Sequence, residues 1–559
     1  MATDAVDRGA AGVVHAAAEA LWQIKLESPY TRASTGLAVT HIPPGSLVEA
    51  ERDASRVRSI AATLQGLDAD GLAETDRLTF EFLHHELEQQ AQAVHAWWTM
   101  SPVAPYSSHH FAYCAQTVIG SAPIDSTAML ECRAGLWSDL GAALRMAQHR
   151  VVEQAERGWR MAQPGLVPTL AAWRLLRQSL HTQLSPASGG AGLEARWADQ
   201  AARLRDREVL PAIDSVLAAL GDPAYAAAAP AAPGLMHLPG GAAAYRGLIK
   251  THMTVDDDPE RIHRHGLDEV AELAQRMHAL RSRIGFDGDE ASFHAQLKRD
   301  PRAIAATPEE VGQRYLRCMQ RIAPLLTRWF ARLPRSPFGV ERLDPAQEAG
   351  LTYGYYDKPK SVGERGVYRY NASNLAERSQ LQVASLIYHE LAPGHHFHIA
   401  RQMELEHLPA LRRSSLELSI FNEGWAEYAS GLAEEMGLYD DPYDLYGRLA
   451  HERFTAQRLV VDTGLNALGW TLEQARSYMR ENTLEGEAQV ASETLRYATD
   501  MPAQALAYRL GYRWFVELRR DTEARLGARF DVREFHEAVL GEGALPLPAL
   551  RRHVQRVLA

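Results

Sequence analysis

Apolar residues recur three and four positions apart along most of this chain, with charged residues between them. Val57 to Leu67, Thr75 to Ala96 and Ser126 to Ala162 are the clearest such stretches. Period-two alternation is scarce, so the pattern predicts a mainly α-helical protein. Asp258-Pro259 reads as the start of a long helix, because proline suits the first helical position. Pro102 to Pro105 interrupts the pattern, and Ala122 to Ser126 reads as a loop leading into a helix cap. Ser185 to Gly192 reads as a flexible connector. Pro223 to Gly241 is irregular, with a slack surface loop expected over residues 225–232. One region departs from the helical period. Leu351 to Pro359 and Gly366 to Asn371 are aromatic, glycine-containing and weakly alternating, which predicts a small β-hairpin or sheet with its turn at Ser361 to Gly366. Its side chains either pack on helices or flank a substrate cleft and offer an edge to an extended peptide; Tyr355 and Asn371 are the residues the second reading places near substrate. No repeat of solenoid length is present.

Composition changes this picture little. The 559 residues are 46% hydrophobic and 23% charged, which is ordinary for a water-soluble chain. A net charge of −11, with only short interrupted basic clusters such as Arg328, Arg332 and Arg335, argues against a nucleic-acid partner. No apolar run reaches about 18 residues, so no membrane span is expected. Met1 to Ala20 lacks a basic start followed by an apolar block, so no secretion signal is read there. Three cysteines far apart in sequence, Cys114, Cys132 and Cys318, fit a reducing compartment and suggest a cytoplasmic protein. The chain divides in expectation into an N-terminal helical region, 1–240, and a second region, 241–559, within one continuous helical body with a central cleft. Oligomeric state is not legible.

The chemistry concentrates in Tyr388 to His398, where four histidines and a glutamate fall within ten residues, 389–398. The preceding Leu381 to Ile387 reads as a buried helix that would carry His389 and Glu390 inside. Buried histidine beside carboxylate is costly unless paired, and a metal ion is a common partner. Zinc hydrolases often place two histidines at i and i+4 of a helix, about 40° apart and about 6 Å along it. Here His395 follows His389 at i+6, which a regular helix would turn about 240° away, and His396 at i+7 would lie about 10 Å along the axis. Pro393 and Gly394 permit a bulge that brings His395 to the second-ligand place; an accommodation one residue longer would select His396. With His395 as ligand, His396 takes a supporting or substrate-binding role.

A third ligand is expected from Phe421 to Tyr428, after the first helix ends near Leu408-Pro409. Glu423 and Glu427, at i and i+4, share a helix face, so one can ligate while the other orients a histidine. His263 and His265, two apart on a helix, make a poor metal pair.

The motifs HExxPGHH (His389 to His396) and NEGWAEY (Asn422 to Tyr428) resemble those of the bacterial family catalogued as domain of unknown function 885. Leu459 to Leu465, Gly469-Trp470, Arg496-Tyr497 and Pro502 to Gly511 fit the same pattern; Tyr245 and His263 to Val270 match more loosely. Asn466 departs from it, standing where histidine is expected. The resemblance implies a relative of the gluzincin metallopeptidases, with a large helical fold similar to the Taq-type metallocarboxypeptidases. It carries metal binding over to His389, His395 and Glu423, and the general base to Glu390.

Hydrolysis of an amide builds an oxyanion that a nearby donor must stabilise. Tyr508, Arg496 and Tyr497 are the candidate donors, and each has a competing packing or ion-pair role. Asp462 reads as a cap or supporting acceptor. The sequence thus points to a metal-dependent hydrolase holding one Zn2+, or another divalent ion on the same ligands. The expected activity is peptidase action on short peptides, carboxypeptidase-like in its end preference, with Glu390 as base. A hydrolase of non-peptide amides, and a binding protein on a peptidase fold, are the alternatives.

Overall fold

The helical period is realised along most of the chain in the computed structural model, which describes residues 9–120, 123–186, 191–348 and 353–559. Residues 187–190 of the Ser185–Gly192 connector, and Ala122, Leu351 and Thr352 of the segments named above, lie outside the described residues. The Thr127–Glu156 helix begins where expected, with the Ser126 hydroxyl accepting from the Met129 amide at 3.2 Å. Pro259 opens the Pro259–Ile284 helix. One expectation is corrected. Residues 225–232 are not simply a loop, because Pro223–Ala228 is helical, capped by Asp222, which accepts from the Ala224 amide at 2.8 Å. An Asp-Pro start followed by alanines, the best helix formers, outweighs the general irregularity of the stretch.

The hairpin is present: β2 (Gly354–Asp357) pairs antiparallel with β3 (Gly366–Tyr370). A further strand, β1 (Phe338–Arg342), pairs parallel with β3 and makes the order β1-β3-β2. Its five residues are too few to show alternation against a helical background. The protein is therefore mainly α with a small sheet.

The largest apolar cluster joins the Ala10–Lys25, Leu47–Leu64 and Glu74–Gln90 helices to residues as distant as Trp425, Phe515 and Val554. A second cluster is built within residues 42–229. Two helix pairs frame the interior. Pro259–Ile284 lies along Pro442–Ala467, and Ser419–Glu435 lies along Leu506–Leu526. In the second pair the backbones touch: a Cβ on Gly424 would lie 2.5 Å from Gly511 Cα, so only glycine fits at the crossing. That contact accounts for the glycine in the Asn-Glu-Gly-Trp motif and fixes the depth at which Glu423 and Glu427 enter the core.

Candidate metal centre

Val383, Ala384, Ile387 and Tyr388 bury the Val383–Glu390 helix and bring His389 inside at its last turn. The helix cannot continue through Pro393, which lacks an amide hydrogen. Residues 391–394 form a four-residue break, and the next helix, His395–Met403, starts on the ligand itself. The chain does not bulge within one helix, as the spacing suggested; it stops and restarts. Two contacts fix the break. Trp425 donates its indole N–H to the Pro393 carbonyl at 2.9 Å. At Gly394 a Cβ would fall 1.8 Å from the His389 carbonyl oxygen, so the chain folds back on itself where only glycine fits.

The restart brings His389 and His395 face to edge, with ring centroids 4.6 Å apart and planes at 86°. Glu423 enters from the Ser419–Glu435 helix, its Oε2 3.6 Å from His389 Nε2 and 3.3 Å from His395 Nε2. Ligands about 2.1 Å from a tetrahedral zinc ion stand about 3.4 Å from one another. The three atoms therefore fit a common ion. Glu423 Oε2 is buried and makes no hydrogen bond of good geometry, the state expected of a ligand oxygen.

The other nitrogens of the two rings also have neighbours. His389 Nδ1 lies 3.1 Å from Glu427 Oε1, which in turn meets His451 Nε2 at 2.8 Å. His395 Nδ1 faces His398 Nε2 at 3.5 Å. The Nε2 atoms of both ligands are thus left facing Glu423. His389, Glu427 and His451 also converge closely enough to hold an ion. Charge decides against that set. Arg448, wholly buried, already faces Glu427 at 3.4 Å, and the 2.8 Å approach of His451 is a hydrogen-bond distance. Glu427 thus stands beside His389 Nδ1, close to it but without a hydrogen bond of good geometry, on the helix face its place four residues after Glu423 suggested.

The electrostatics favour a cation. Burial alone would lower the pKa of His389, but Glu423 and Glu427 raise it to about 10. Burial pushes Glu423 up, yet His395 and His389 hold it well below the usual carboxylate range. Glu390 behaves oppositely: burial raises its pKa and the two histidines only partly offset that. Its charge is also felt at the sheet, where burial, Asp357 and Glu390 together raise the Tyr356 phenol.

Tyr508 stacks beside His389, ring centroids 6.2 Å apart and planes within 9°. Burial and Glu423 push the Tyr508 phenol up, partly offset by Arg496 and Arg458, and the Arg458 guanidinium lies 4.3 Å over its ring. The structure therefore gathers His389, His395, Glu423, Glu427, Glu390, Tyr508 and Arg496 in one region. It places four other expected residues elsewhere. His396 is buried and turned to the sheet, with Nδ1 2.9 Å from the Tyr356 hydroxyl and Nε2 2.9 Å from the Ser336 carbonyl; it pins the sheet to the ligand helix. Tyr497 is buried in the core, where it donates to Glu493 and accepts from Arg458 at 3.0 Å. Tyr355 points outward from β2, 41% exposed, because alternation gives the inner face to Tyr356. Asn371 is buried and donates to the Glu348 carbonyl at 2.7 Å. Asn466 is also internal, donating to the Asp462 and Tyr497 carbonyls at 3.0 Å, so its amide is taken up by the packing. His263 packs against Trp470 and pairs with the Thr463 hydroxyl at 2.9 Å.

Sequence reasoning missed His451, Arg448 and His398. A signal existed for the first two. Arg448, His451, Glu452 and Arg453 sit in Pro442–Ala467 among Leu449, Ala450 and Phe454, and a helix charged and apolar on all faces must pair its charges internally.

Fold and site together define a mainly helical protein with a preformed two-histidine, one-glutamate centre. Residues 29–554 match the family described as "Bacterial protein of unknown function (DUF885)", and the chain belongs to that family. Among solved structures it is similar to "the putative lipoprotein from Colwellia psychrerythraea", at 25% identity and a TM-score of 0.85 over 98% of each chain. It also shares its fold with "a putative lipoprotein of unknown function from Shewanella oneidensis", at 14% identity and a TM-score of 0.74 over 97% of this chain and 99% of that one. No curated protein matches the chain.

Proposed function

We propose that this protein is a zinc-dependent hydrolase of peptide bonds acting on short peptides, with Glu390 as general base. The observation that carries the proposal is the convergence of His389 Nε2, His395 Nε2 and Glu423 Oε2 at separations of 3.3 and 3.6 Å, with the glutamate oxygen otherwise unsatisfied. A zinc ion held there would supply Lewis acidity to the scissile carbonyl and to the attacking water. The protein's own part is positional. Glu427 and His398 turn the two ligand imidazoles. Glu390, adjacent in sequence to His389, takes the proton of the attacking water and returns it to the leaving amine. Tyr508, stacked on His389, offers its hydroxyl to charge developing on the carbonyl oxygen. The sheet, tied to the ligand helix through His396 and Tyr356, forms one flank of the substrate's path.

The test combines metal analysis with turnover. Purified protein is expected to hold about one equivalent of zinc and to shorten members of a mixed peptide library followed by mass spectrometry. Glu390→Gln is expected to keep the metal and lose at least about 100-fold in rate. Less than half an equivalent of metal, unrestored by added zinc, would sink the proposal, as would full activity in the Glu390→Gln variant. Location is a separate matter. Among the described residues no helix is long and apolar enough to cross a membrane. The three cysteines fit a cytoplasmic setting, whereas the two solved relatives are titled lipoproteins, which favours an extracytoplasmic one. Cell fractionation decides between them.

A further inference from the structure

Arg160 stands in the short link between the Thr127–Glu156 and Gln163–Gln183 helices. Backbone hydrogen bonds hold that link in place. The Trp159 amide donates to the Gln154 carbonyl at 2.9 Å, the Met161 amide to the Tyr225 hydroxyl at 3.0 Å, and the Gln163 amide to the Pro230 carbonyl at 2.9 Å. The Arg160 side chain is half-buried, and its Nε is buried with no hydrogen-bond partner. Arg401, Arg412, Arg448 and Arg453 also have such an Nε, but each meets a glutamate through its Nη atoms. Arg160 meets no carboxylate among the described residues. The acids that its surroundings offer are turned elsewhere. Asp500 accepts from the Tyr106 amide at 2.8 Å and from the Thr499 hydroxyl at 2.9 Å, and Asp222 accepts from the Ala224 amide at 2.8 Å. Glu153 and Glu156 are exposed on the preceding helix.

Arg160 and Tyr225 line one cavity, of about 60 Å³, whose lining includes no aspartate or glutamate. Its walls are mostly apolar, with Met100, Val151, Met161, Leu235, Leu238 and Pro502 among them. The Tyr225 oxygen accepts the Met161 amide, and its own proton has no acceptor among the described residues. A cation and a hydroxyl donor thus border a space that supplies neither with an acceptor. Unpaired donors cost free energy that a ligand's acceptor recovers. A carboxylate suits this pair, because it takes charge-assisted hydrogen bonds from a guanidinium and a hydroxyl together. Size sets the rest of the ligand. At about 10–15 Å³ for each water held, the cavity has room for about four to six non-hydrogen atoms. The apolar walls favour a hydrocarbon body over a second charge. None of the lining residues belongs to the candidate metal centre.

We infer that this cavity is a binding site for a short-chain monocarboxylate of propionate's size, with its carboxylate on Arg160 and Tyr225 and its alkyl end against Met100, Met161 and Leu235. The bound acid joins two apolar clusters. Val151 and Met161 belong to the one built within residues 42–229, and Leu235 to the one that holds Tyr245 and Leu506. The site stands whether or not the protein is a hydrolase.

The test uses the full chain with methyl-labelled methionine, since Met100 and Met161 are two of only 13 methionines. The protein is titrated with propionate, propionamide and chloride by NMR, with ionic strength held constant by sulfate. Propionate is expected to shift the Met100 and Met161 methyl signals saturably, with half-saturation at about 1 mM or below. Propionamide is expected to bind at least about tenfold more weakly, because it carries no charge for Arg160. Arg160→Met is expected to lose the preference for the acid with helical circular dichroism unchanged, and Arg160→Lys to keep part of it. Absence of a saturable shift at Met100 and Met161 overturns the inference on the wild type alone. Propionamide binding as tightly as propionate overturns it in favour of a neutral pocket. Displacement of propionate by an equal concentration of chloride overturns it in favour of an inorganic-anion site. Full affinity for propionate in Arg160→Met overturns it as well, by removing the anchor.

Discussion

His389 has a carboxylate close to each ring nitrogen, Glu423 on one side and Glu427, hydrogen-bonded to His451, on the other. The second neighbour can be tested apart from the ligands themselves. His451→Phe removes the hydrogen bond to Glu427 while leaving Arg448 paired, and is expected to weaken zinc binding about tenfold, read by competition with a chromogenic chelator. Glu427→Gln should weaken it more and also destabilise the fold by about 3 kcal/mol, because buried Arg448 loses a partner. Unchanged zinc affinity in both variants would mean that Glu427 does not orient the ligand. At this scale the sequence was readable where chemistry is local. His389, Glu390 and His395 stand in one short stretch, and the i, i+4 spacing of Glu423 and Glu427 placed them on one helix face, where both approach His389. His451 was not readable, because its role depends on which helix packs over Glu427. His396, expected in a supporting or substrate-binding role once His395 is the ligand, turns to the sheet, because neighbours in sequence on a new helix point to different faces.

The elements around the centre are joined at points where no side chain fits, and this makes them testable one atom at a time. Gly394→Ala would place a Cβ 1.8 Å from the His389 carbonyl, forcing the 391–394 break to open. The expected result is loss of bound zinc with helical circular dichroism nearly unchanged, since the Val383–Glu390 and His395–Met403 helices survive while their junction does not. Retention of a full equivalent of zinc would show that the break tolerates rearrangement. Gly424→Ala acts on a different contact, the crossing with Gly511, and is expected to cost about 1–3 kcal/mol in urea unfolding, as overpacking does. The presence of a break was legible in Pro393-Gly394. Its length was not, because the clamp on it is the Trp425 indole, thirty-two residues away in sequence. The sheet was half legible: β2 and β3 showed their alternation, while β1 is defined only by the strand it joins.

Across the whole molecule, long-range ties replace local pattern, which is why the sequence suggested one continuous helical body but not which N-terminal residues pack on which C-terminal ones: periodicity identifies an apolar face but not its partner. Asp462 is one such tie. It is wholly buried on the Pro442–Ala467 helix, where it accepts from the Tyr245 hydroxyl at 2.6 Å and from the Ala503 amide at 3.0 Å, joining segments far apart in the chain. Its sequence reading as a supporting acceptor foretold the hydrogen bonding but neither partner. Burial, against the opposing effect of Tyr245, Ala503 and Asn466, raises its pKa to about 7. In the unfolded chain an aspartate releases its proton near 3.9. Between those values the folded form binds the extra proton, so this group's contribution to stability is full below about pH 4 and is lost as pH rises through about 7. Asp462→Asn removes the titration while losing some acceptor capacity at every pH. The variant is therefore expected to be clearly less stable than wild type at pH 5, and the difference is expected to shrink or reverse at pH 8, in paired urea unfolding curves. A difference that does not change between the two pH values would mean that Asp462 is ionised in the folded chain throughout, with its three donors outweighing its burial.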